Sequence, residues 1–175
     1  MQKLKLEELK RFSVHEFKDA HKHPIVLVLD NVRSMSNVGS MFRTADAFRL
    51  EHLYLCGITA TPPHREIYKT AIGATESMAW TYAPTTKEIV LSLRQQGYRI
   101  VAVEQAHGSE YLNNFEVDTT LKYAFIMGNE IDGVSTDVME LIDSCVEIPQ
   151  FGSKHSFNVS ISAGIVLWHV IQKFL

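Results

Sequence analysis

The chain is organised around residues 148–160, which read Ile148-Pro149-Gln150-Phe151-Gly152-Ser153-Lys154-His155-Ser156-Phe157-Asn158-Val159-Ser160. An apolar strand ends at Pro149, because proline lacks the N–H group that a further ladder hydrogen bond needs. Ser156 and Asn158 then precede an apolar segment, and both are residue types that cap helices. A polar loop between a buried strand and a buried helix is a usual ligand-binding position in α/β proteins. An ordinary capped turn explains this stretch equally well.

An earlier apolar run, residues 25–29, is bounded by Pro24 and Asp30. Such an unbroken run is typical of a strand buried on both faces, as in a parallel sheet. Similar runs alternate with helical segments along the rest of the chain. We therefore predict an α/β fold with a mainly parallel sheet and helices on both faces.

The composition is that of a globular protein of 175 residues, with 46% hydrophobic and 21% charged residues. We expect a single domain over residues 1–175, in which residues 1–24 form a short helical extension. The net charge of −3 means that a nucleic-acid partner needs a local basic patch. No signal-peptide pattern occurs, and no apolar run reaches the ~20 residues of a membrane span. Cys56 and Cys145 end strand-like runs, as buried reduced thiols do, so we expect a cytoplasmic protein with no membrane contact.

A second polar stretch, residues 30–43, follows the first strand. Asn37 is a candidate helix cap, and Gly39 in the first helical turn allows close backbone approach. Arg43 falls about one and a half turns into this helix.

A third polar stretch, residues 128–135, reads Gly-Asn-Glu-Ile-Asp-Gly-Val-Ser and follows another apolar strand. We expect Ser135 to cap a helix over residues 136–142. The stretch lacks Gly-Lys-Ser/Thr, which excludes a P-loop. The chain also lacks Gly-x-Gly-x-x-Gly, which argues against a nucleotide-binding oxidoreductase.

In order and spacing, these stretches resemble the three motifs of the SpoU family of RNA ribose 2′-O-methyltransferases, within the SPOUT superfamily. The first matches Asn-x-Gly-x-x-x-Arg at Asn37, Gly39 and Arg43. The second matches Gly-Asn-Glu-x-x-Gly-x-Ser over residues 128–135. The third matches Ile-Pro-x-x-Gly-x-x-x-Ser-Leu-Asn-Val-Ser over residues 148–160, with Phe157 where Leu is usual and Gln150 where Met is common. The resemblance covers roughly residue 25 to the end.

The resemblance implies an α/β domain with a carboxyl-terminal trefoil knot, a homodimer, S-adenosylmethionine as methyl donor, and RNA as substrate. It implies no metal. The chain is more similar to the smaller tRNA-modifying members than to the two-domain rRNA-modifying ones, so tRNA is favoured over rRNA. The cofactor-binding residues that it implies are Gly128, Ile148, Phe157, Glu104 and Gly152. The residues that it places around the ribose and the transferring methyl group are Arg43, Asn37, Glu130, Ser156 and Asn158.

Methyl transfer to a hydroxyl requires alignment of the two groups and removal of the hydroxyl proton. A guanidinium does not lose its proton in a protein, so we expect Arg43 to bind a phosphate and stabilise the developing alkoxide. Glu130 would either orient Arg43 or accept the proton, and the residues alone do not decide between these roles. A non-catalytic RNA-binding or assembly protein on the same scaffold is the alternative, against which the presence of Arg43 and Asn158 argues. The helix predicted over residues 158–174 is apolar nearly all round, which favours burial against a second subunit.

Overall fold

The computed structural model describes residues 1–175, with every side chain except that of Leu6. Seven strands form one sheet in the order β3-β2-β1-β6-β4-β7-β5, and every neighbouring pair is parallel. The strands are β1 (His23–Asp30), β2 (Leu50–Cys56), β3 (Trp80–Ala83), β4 (Tyr98–Val103), β5 (Glu110–Tyr111), β6 (Lys122–Met127) and β7 (Ser144–Glu147). The α-helices are α1 (Val14–Asp19), α2 (Met35–Ala47), α3 (Arg65–Ala71), α4 (Ala74–Ser77), α5 (Thr86–Gln95), α6 (Thr136–Met139) and α7 (Val159–Ile171). The predicted parallel α/β fold is confirmed.

The central strand β1 is buried on both faces, as its continuous apolar run predicts. Ile25, Leu27 and Leu29 pack into a core that includes residues of α2 and α7. Val26 and Val28 point to the opposite face, where they share a second core with residues of α5 and α6. Successive side chains of a strand alternate between its faces, so one apolar run supplies both cores.

The carboxyl ends of four neighbouring strands lie in register. Leu29 of β1 pairs with Met127 of β6, Met127 with Val103 of β4, and Val103 with Val146 of β7. The loops that follow these strands therefore begin side by side at one edge of the sheet, where ligands bind in α/β proteins. Three of these four loops contain the polar stretches that the sequence singles out. The trefoil knot that the resemblance implies stays a prediction.

The start of α2 differs from the prediction that Asn37 caps this helix. Ser34 is the cap, and its hydroxyl accepts the backbone N–H of Asn37 at 3.3 Å. Because the helix begins one residue after Ser34, Asn37 lies inside the first turn and its side chain is available for other contacts. The close approach predicted at Gly39 is confirmed, since a Cβ there would collide with the Thr70 hydroxyl and the Ile67 carbonyl oxygen.

Two other helix predictions need correction. In the helical extension predicted over residues 1–24, α1 is helical, but the part before α1 contains only a 3₁₀ turn over Leu6–Leu9, and the Leu6 side chain lies outside the described part of the chain. The helix predicted over residues 136–142 ends at Met139, and the Ser135 side chain does not cap it. That side chain bonds to Asp30 instead. Both cysteines are free and buried, as predicted. No helix in the described part of the chain has both the length and the apolar character to cross a bilayer.

Candidate active site

A cavity of about 450 Å³ opens at the carboxyl edge of the sheet. Its walls come from the loops after β4, β6 and β7 and from the start of α7. Among the residues predicted from sequence, those that line it are Glu104, Gly128, Glu130, Ile148, Ser156, Phe157 and Asn158. The structure thus brings most of the predicted site residues to one cavity.

A chain of hydrogen bonds joins the three polar stretches beside this cavity. The Asn37 amide nitrogen donates to a Glu130 carboxylate oxygen at 2.9 Å, and its amide oxygen accepts from the Asn158 amide nitrogen at 3.0 Å. The Asn158 oxygen accepts in turn from the backbone N–H of Ser160 at 2.9 Å, which fixes the orientation of its amide at the start of α7. Glu130, Asn37 and Asn158 each come from a different polar stretch, and their hydrogen bonds hold the three stretches together.

Glu130 also binds the start of α2. Its two carboxylate oxygens accept the backbone N–H groups of Arg33 at 3.1 Å and Ser34 at 3.2 Å. Burial alone would raise the pKa of the Glu130 carboxyl, but these bonds and the bond from Asn37 outweigh burial and lower the pKa below its ordinary value. The structure therefore shows Glu130 holding Asn37 and the start of α2, whereas the sequence left it between orienting Arg43 and accepting a proton.

Asp30, at the end of β1, is a site residue that the sequence did not reveal. It is fully buried, and one carboxylate oxygen accepts both the backbone N–H of Ser135, at 2.7 Å, and the Ser135 hydroxyl. The other oxygen accepts the Thr86 hydroxyl and, at 2.9 Å, the Asn31 amide. Asp30 thus ties the end of the 128–135 loop to the sheet. Its only sequence signal is a charged residue that ends an apolar strand.

Glu104 binds the same loop from the end of β4. Its carboxylate accepts the backbone N–H of Val134 at 3.0 Å and that of Gln105 at 2.7 Å. Gly133 has a φ of +70°, and a Cβ on it would collide with the Glu104 carboxylate. A glycine is therefore required there by both backbone conformation and space. Glu104 lines the cavity and also shapes its wall, and its predicted cofactor contact stays a prediction.

Three predicted residues do not line the main cavity, namely Asn37, which is buried beside it, Gly152 and Arg43. Gly152 lines a neighbouring cavity on the other side of the 149–157 loop. Arg43 is exposed on α2, six residues after Asn37, which places it about 9 Å further along the helix axis and on a different face. It is not among the residues that line the main cavity. Sequence spacing placed Arg43 on α2 but did not show that no residue of α2 lines the cavity.

The donor groups at the cavity suit an organic ligand better than a metal ion. Within the described part of the chain, no group of three or more His, Cys, Asp or Glu side chains is placed to hold a metal. By contrast, among the described residues no backbone N–H between Ile148 and Phe157 donates to another protein group. Among these residues, Ile148, Gln150, Ser156 and Phe157 line the cavity, so their N–H groups can donate to a ligand there.

The fold and the cavity define an α/β protein with a cavity of small-molecule size at the carboxyl edge of a parallel sheet. Comparison with known families narrows this class. A family described as the SpoU rRNA Methylase family matches residues 24–168, and the chain belongs to that family. The resemblance found in the sequence is confirmed.

Relatives within the family differ in the length that they share with this chain. A tRNA (guanosine(18)-2′-O)-methyltransferase from Aquifex aeolicus is 32% identical, over 96% of this chain and 78% of that enzyme. A 23S rRNA (guanosine-2′-O-)-methyltransferase from Neisseria meningitidis is 31% identical, over 82% of this chain and 56% of the relative. The crystal structure of an AdoMet-bound rRNA methyltransferase from Sinorhizobium meliloti has a TM-score of 0.82 and 27% identity, and the match covers 91% of this chain and 60% of that one.

Proposed function

We propose that this protein transfers a methyl group from S-adenosylmethionine to a ribose 2′-hydroxyl of RNA, with tRNA favoured over rRNA. The observation that carries this proposal is the hydrogen-bonded chain Glu130–Asn37–Asn158, which joins all three motifs beside one cavity. Relatives named for tRNA and 23S rRNA 2′-O-methylation support it, and a relative that is matched over 78% of its own length carries a tRNA name. The work of such an enzyme on RNA also supports a cytoplasmic location.

The residues present fit S-adenosylmethionine. The cavity volume of about 450 Å³ lies within the usual range of small-molecule sites. The backbone N–H groups of Ile148, Gln150, Ser156 and Phe157 offer donors to a nucleoside and an amino-acid group, and Ile148 and Phe157 also offer apolar cover. The cofactor supplies an activated methyl group on sulfur. The protein must then align that methyl group with the hydroxyl and exclude water.

The site residues perform the alignment. The amides of Asn37 and Asn158 are locked by their mutual hydrogen bond, and Asn158, which lines the cavity, can present its remaining N–H to a ribose in a fixed orientation. Ser156 lines the cavity beside them and offers a further hydroxyl. Because the pKa of Glu130 is lowered, its carboxylate is a weak base. We therefore assign Glu130 a positioning role through Asn37 and not the removal of the hydroxyl proton.

We also propose a homodimer that packs through α7. Ile161, Ile165 and Trp168 recur at helical spacing on its outer face, and Trp168 is 51% exposed. An apolar stripe of this kind favours an interface of roughly 1,200 Å² or more between two copies. α7 packs beside α2, as the 6.2 Å separation of the Trp168 and Phe48 ring centres shows. A partner docked on α7 would therefore approach the helix that carries Arg43.

The dimer offers a reason for the position of Arg43. Within one chain Arg43 lies outside the cavity, so we propose that Arg43 of the partner subunit completes each site. There its guanidinium would bind the phosphate beside the target ribose and stabilise the developing alkoxide. Mixed dimers test this: an Arg43→Ala subunit and an Asn158→Ala subunit, each inactive alone, should recover part of the activity when combined. If mixed dimers of the two variants stay inactive, Arg43 acts in the site of its own subunit.

Transfer of labelled methyl groups to unfractionated tRNA and to 23S rRNA, followed by nucleoside analysis, tests the activity itself. We expect 2′-O-methylated nucleosides from wild type, without added metal and in the presence of a chelator. Arg43→Ala should reduce single-turnover methylation at least ~100-fold, the scale of losing one preorganised donor at an oxyanion. Its affinity for S-adenosylmethionine should be nearly unchanged, because Arg43 does not line the cavity. Arg43→Lys should restore little, since lysine lacks the planar fork.

The result that would contradict the proposal is a wild-type protein that binds S-adenosylmethionine and RNA but transfers no methyl group. That result would favour the non-catalytic RNA-binding or assembly role. A protein that binds neither S-adenosylmethionine nor its demethylated product would refute the cofactor assignment.

A further inference from the structure

A second cavity of about 450 Å³ lies on the other side of the 149–157 loop from the cofactor cavity. Its walls are the edge strand β5, the end of β7 and the loop itself. Gln105, Glu147 and Gln150 line both cavities, so the two are neighbours that share a wall. The mechanism described above makes no use of this second cavity.

The walls of the second cavity combine exposed aromatic rings with cationic side chains. Phe151 is 96% exposed and Tyr111 is 53% exposed, although large aromatic rings are usually buried. Lys154 and His155 line the same cavity. Aromatic rings on which bases stack, next to cations that bind the backbone, are the features that bind single-stranded nucleic acid.

We propose that the second cavity binds one unpaired nucleobase of the substrate RNA, stacked on Phe151 and Tyr111, with Lys154 holding the adjacent phosphate. This proposal rests on the proposed function. It names a subsite that lies beside the cofactor cavity and outside the Asn37–Asn158 centre. RNA is the occupant that the charges favour, because the loop carries Lys154 and His155 and no acidic residue between Pro149 and Asn158.

The remaining wall groups set the orientation of the nucleotide. Glu147 accepts the Ser109 hydroxyl at 2.9 Å and repels a phosphate, so the phosphate lies at the Lys154 end. The carboxylate then faces the base and favours one whose edge carries N–H donors. The Gln105 side chain donates to the carbonyl oxygen of His155 at 3.1 Å and so holds the loop to the end of β4. The aromatic and cationic groups are therefore presented on an anchored loop.

Alanine variants of the two rings test the proposal. Filter binding with unfractionated tRNA and with a 23S rRNA transcript measures RNA affinity, and calorimetry measures S-adenosylmethionine affinity. On the RNA that wild type methylates, Phe151→Ala and Tyr111→Ala should each weaken binding about tenfold, the scale of one lost base stack. Cofactor affinity should stay unchanged. Lys154→Gln should reduce the slope of log affinity against log salt concentration by about one.

Tyr82→Ala is the matched control, because Tyr82 is 47% exposed on β3 at the opposite edge of the sheet. It should leave RNA affinity unchanged. If the two ring variants also bind RNA as wild type does while wild type methylates it, the subsite proposal fails and the proposed function stands. A fall in dimer mass of these variants by light scattering would assign the rings to a subunit contact and also overturn the subsite. A wild type that binds neither RNA overturns both proposals.

Discussion

Substitution of the buried carboxylate of Asp30 by an amide, Asp30→Asn, tests whether the cavity depends on the contact between the first two motifs. Asp30 accepts four hydrogen bonds, two at each oxygen. An asparagine keeps one acceptor oxygen and replaces the other with a donor. We expect the retained oxygen to face Ser135, because the Ser135 backbone N–H cannot act as an acceptor.

The new amide nitrogen would then face Thr86 and Asn31. The Thr86 hydroxyl can rotate and accept, but the Asn31 amide nitrogen, which donates to Asp30 at 2.9 Å, would meet another donor. One hydrogen bond to a charged group is lost, and the remaining bonds lose their charge, which together cost about 2–3 kcal/mol. Asp30→Ala leaves all four donors without their acceptor and should cost about 4 kcal/mol. Either loss is a large share of the ~5–15 kcal/mol that stabilises a typical domain.

Urea denaturation measures these free energies of unfolding, and calorimetry measures S-adenosylmethionine binding, which should weaken as the 128–135 loop loses its anchor. Asp46→Asn is the control, because Asp46 accepts the hydroxyl of Ser77 away from the cavity. Its cofactor affinity should match wild type. The reasoning is refuted if Asp30→Asn unfolds within about 0.5 kcal/mol of the Asp46→Asn control, the range of an ordinary surface change, and binds cofactor equally well.

Three further predictions concern the helices that carry the site. Ile165→Glu should yield monomers by light scattering, whereas Leu91→Glu, at an exposed position of α5, should leave the dimer intact. Gly39→Ala should cost about 1–3 kcal/mol of unfolding free energy through overpacking against α3, because a Cβ at that position collides with the Thr70 hydroxyl and the Ile67 carbonyl oxygen. Glu130→Gln should lower the free energy of unfolding by about 1 kcal/mol or less, because Glu130 is exposed. Since the pKa of Glu130 is lowered in the folded protein, this difference in stability is complete above the ordinary pKa of 4.5. It disappears as the pH falls through the pKa of the folded protein. Equal urea midpoints for Glu130→Gln and wild type at neutral pH would contradict the last prediction.

Local sequence patterns were sufficient to predict the elements that place the site. The apolar run of residues 25–29 predicts a strand buried on both faces, and that strand lies near the centre of the sheet. The polar stretches after the strands were expected to bind a ligand, and the register of the strands brings three of them to one edge. The buried strand follows from the alternation of side chains along a strand, and the ligand-binding edge follows from the polar loops at the strand ends.

The contacts within the site depend on pairs that are far apart in sequence. Asp30 meets Ser135 across 105 residues, and Glu130 meets Asn37 across 93. A local pattern contains no information on such pairs, so Ser135 was expected to be a helix cap and Glu130 was left between two roles. The cap of α2 was misplaced for another reason. Ser34 and Asn37 are both capping residue types, and only the folded backbone shows which of them precedes the first turn.

Two carboxylates join the first two motifs, and each lies in one motif and accepts hydrogen bonds from the other. Asp30 belongs to the first motif's loop and holds Ser135 at the end of the second, whereas Glu130 belongs to the second and holds the start of the first motif's helix. The Asn37 amide oxygen accepts a hydrogen bond from the Asn158 amide nitrogen, which joins the third motif to the first two. The position of the 128–135 loop at the main cavity and the positions of the Asn37 and Asn158 amides are therefore set by two groups of hydrogen bonds, one at each end of that loop. For the proposed methyl transfer, a displacement of either motif would disturb both the cavity and the Asn158 amide beside it, and an in-line transfer requires the two reacting groups to stay aligned.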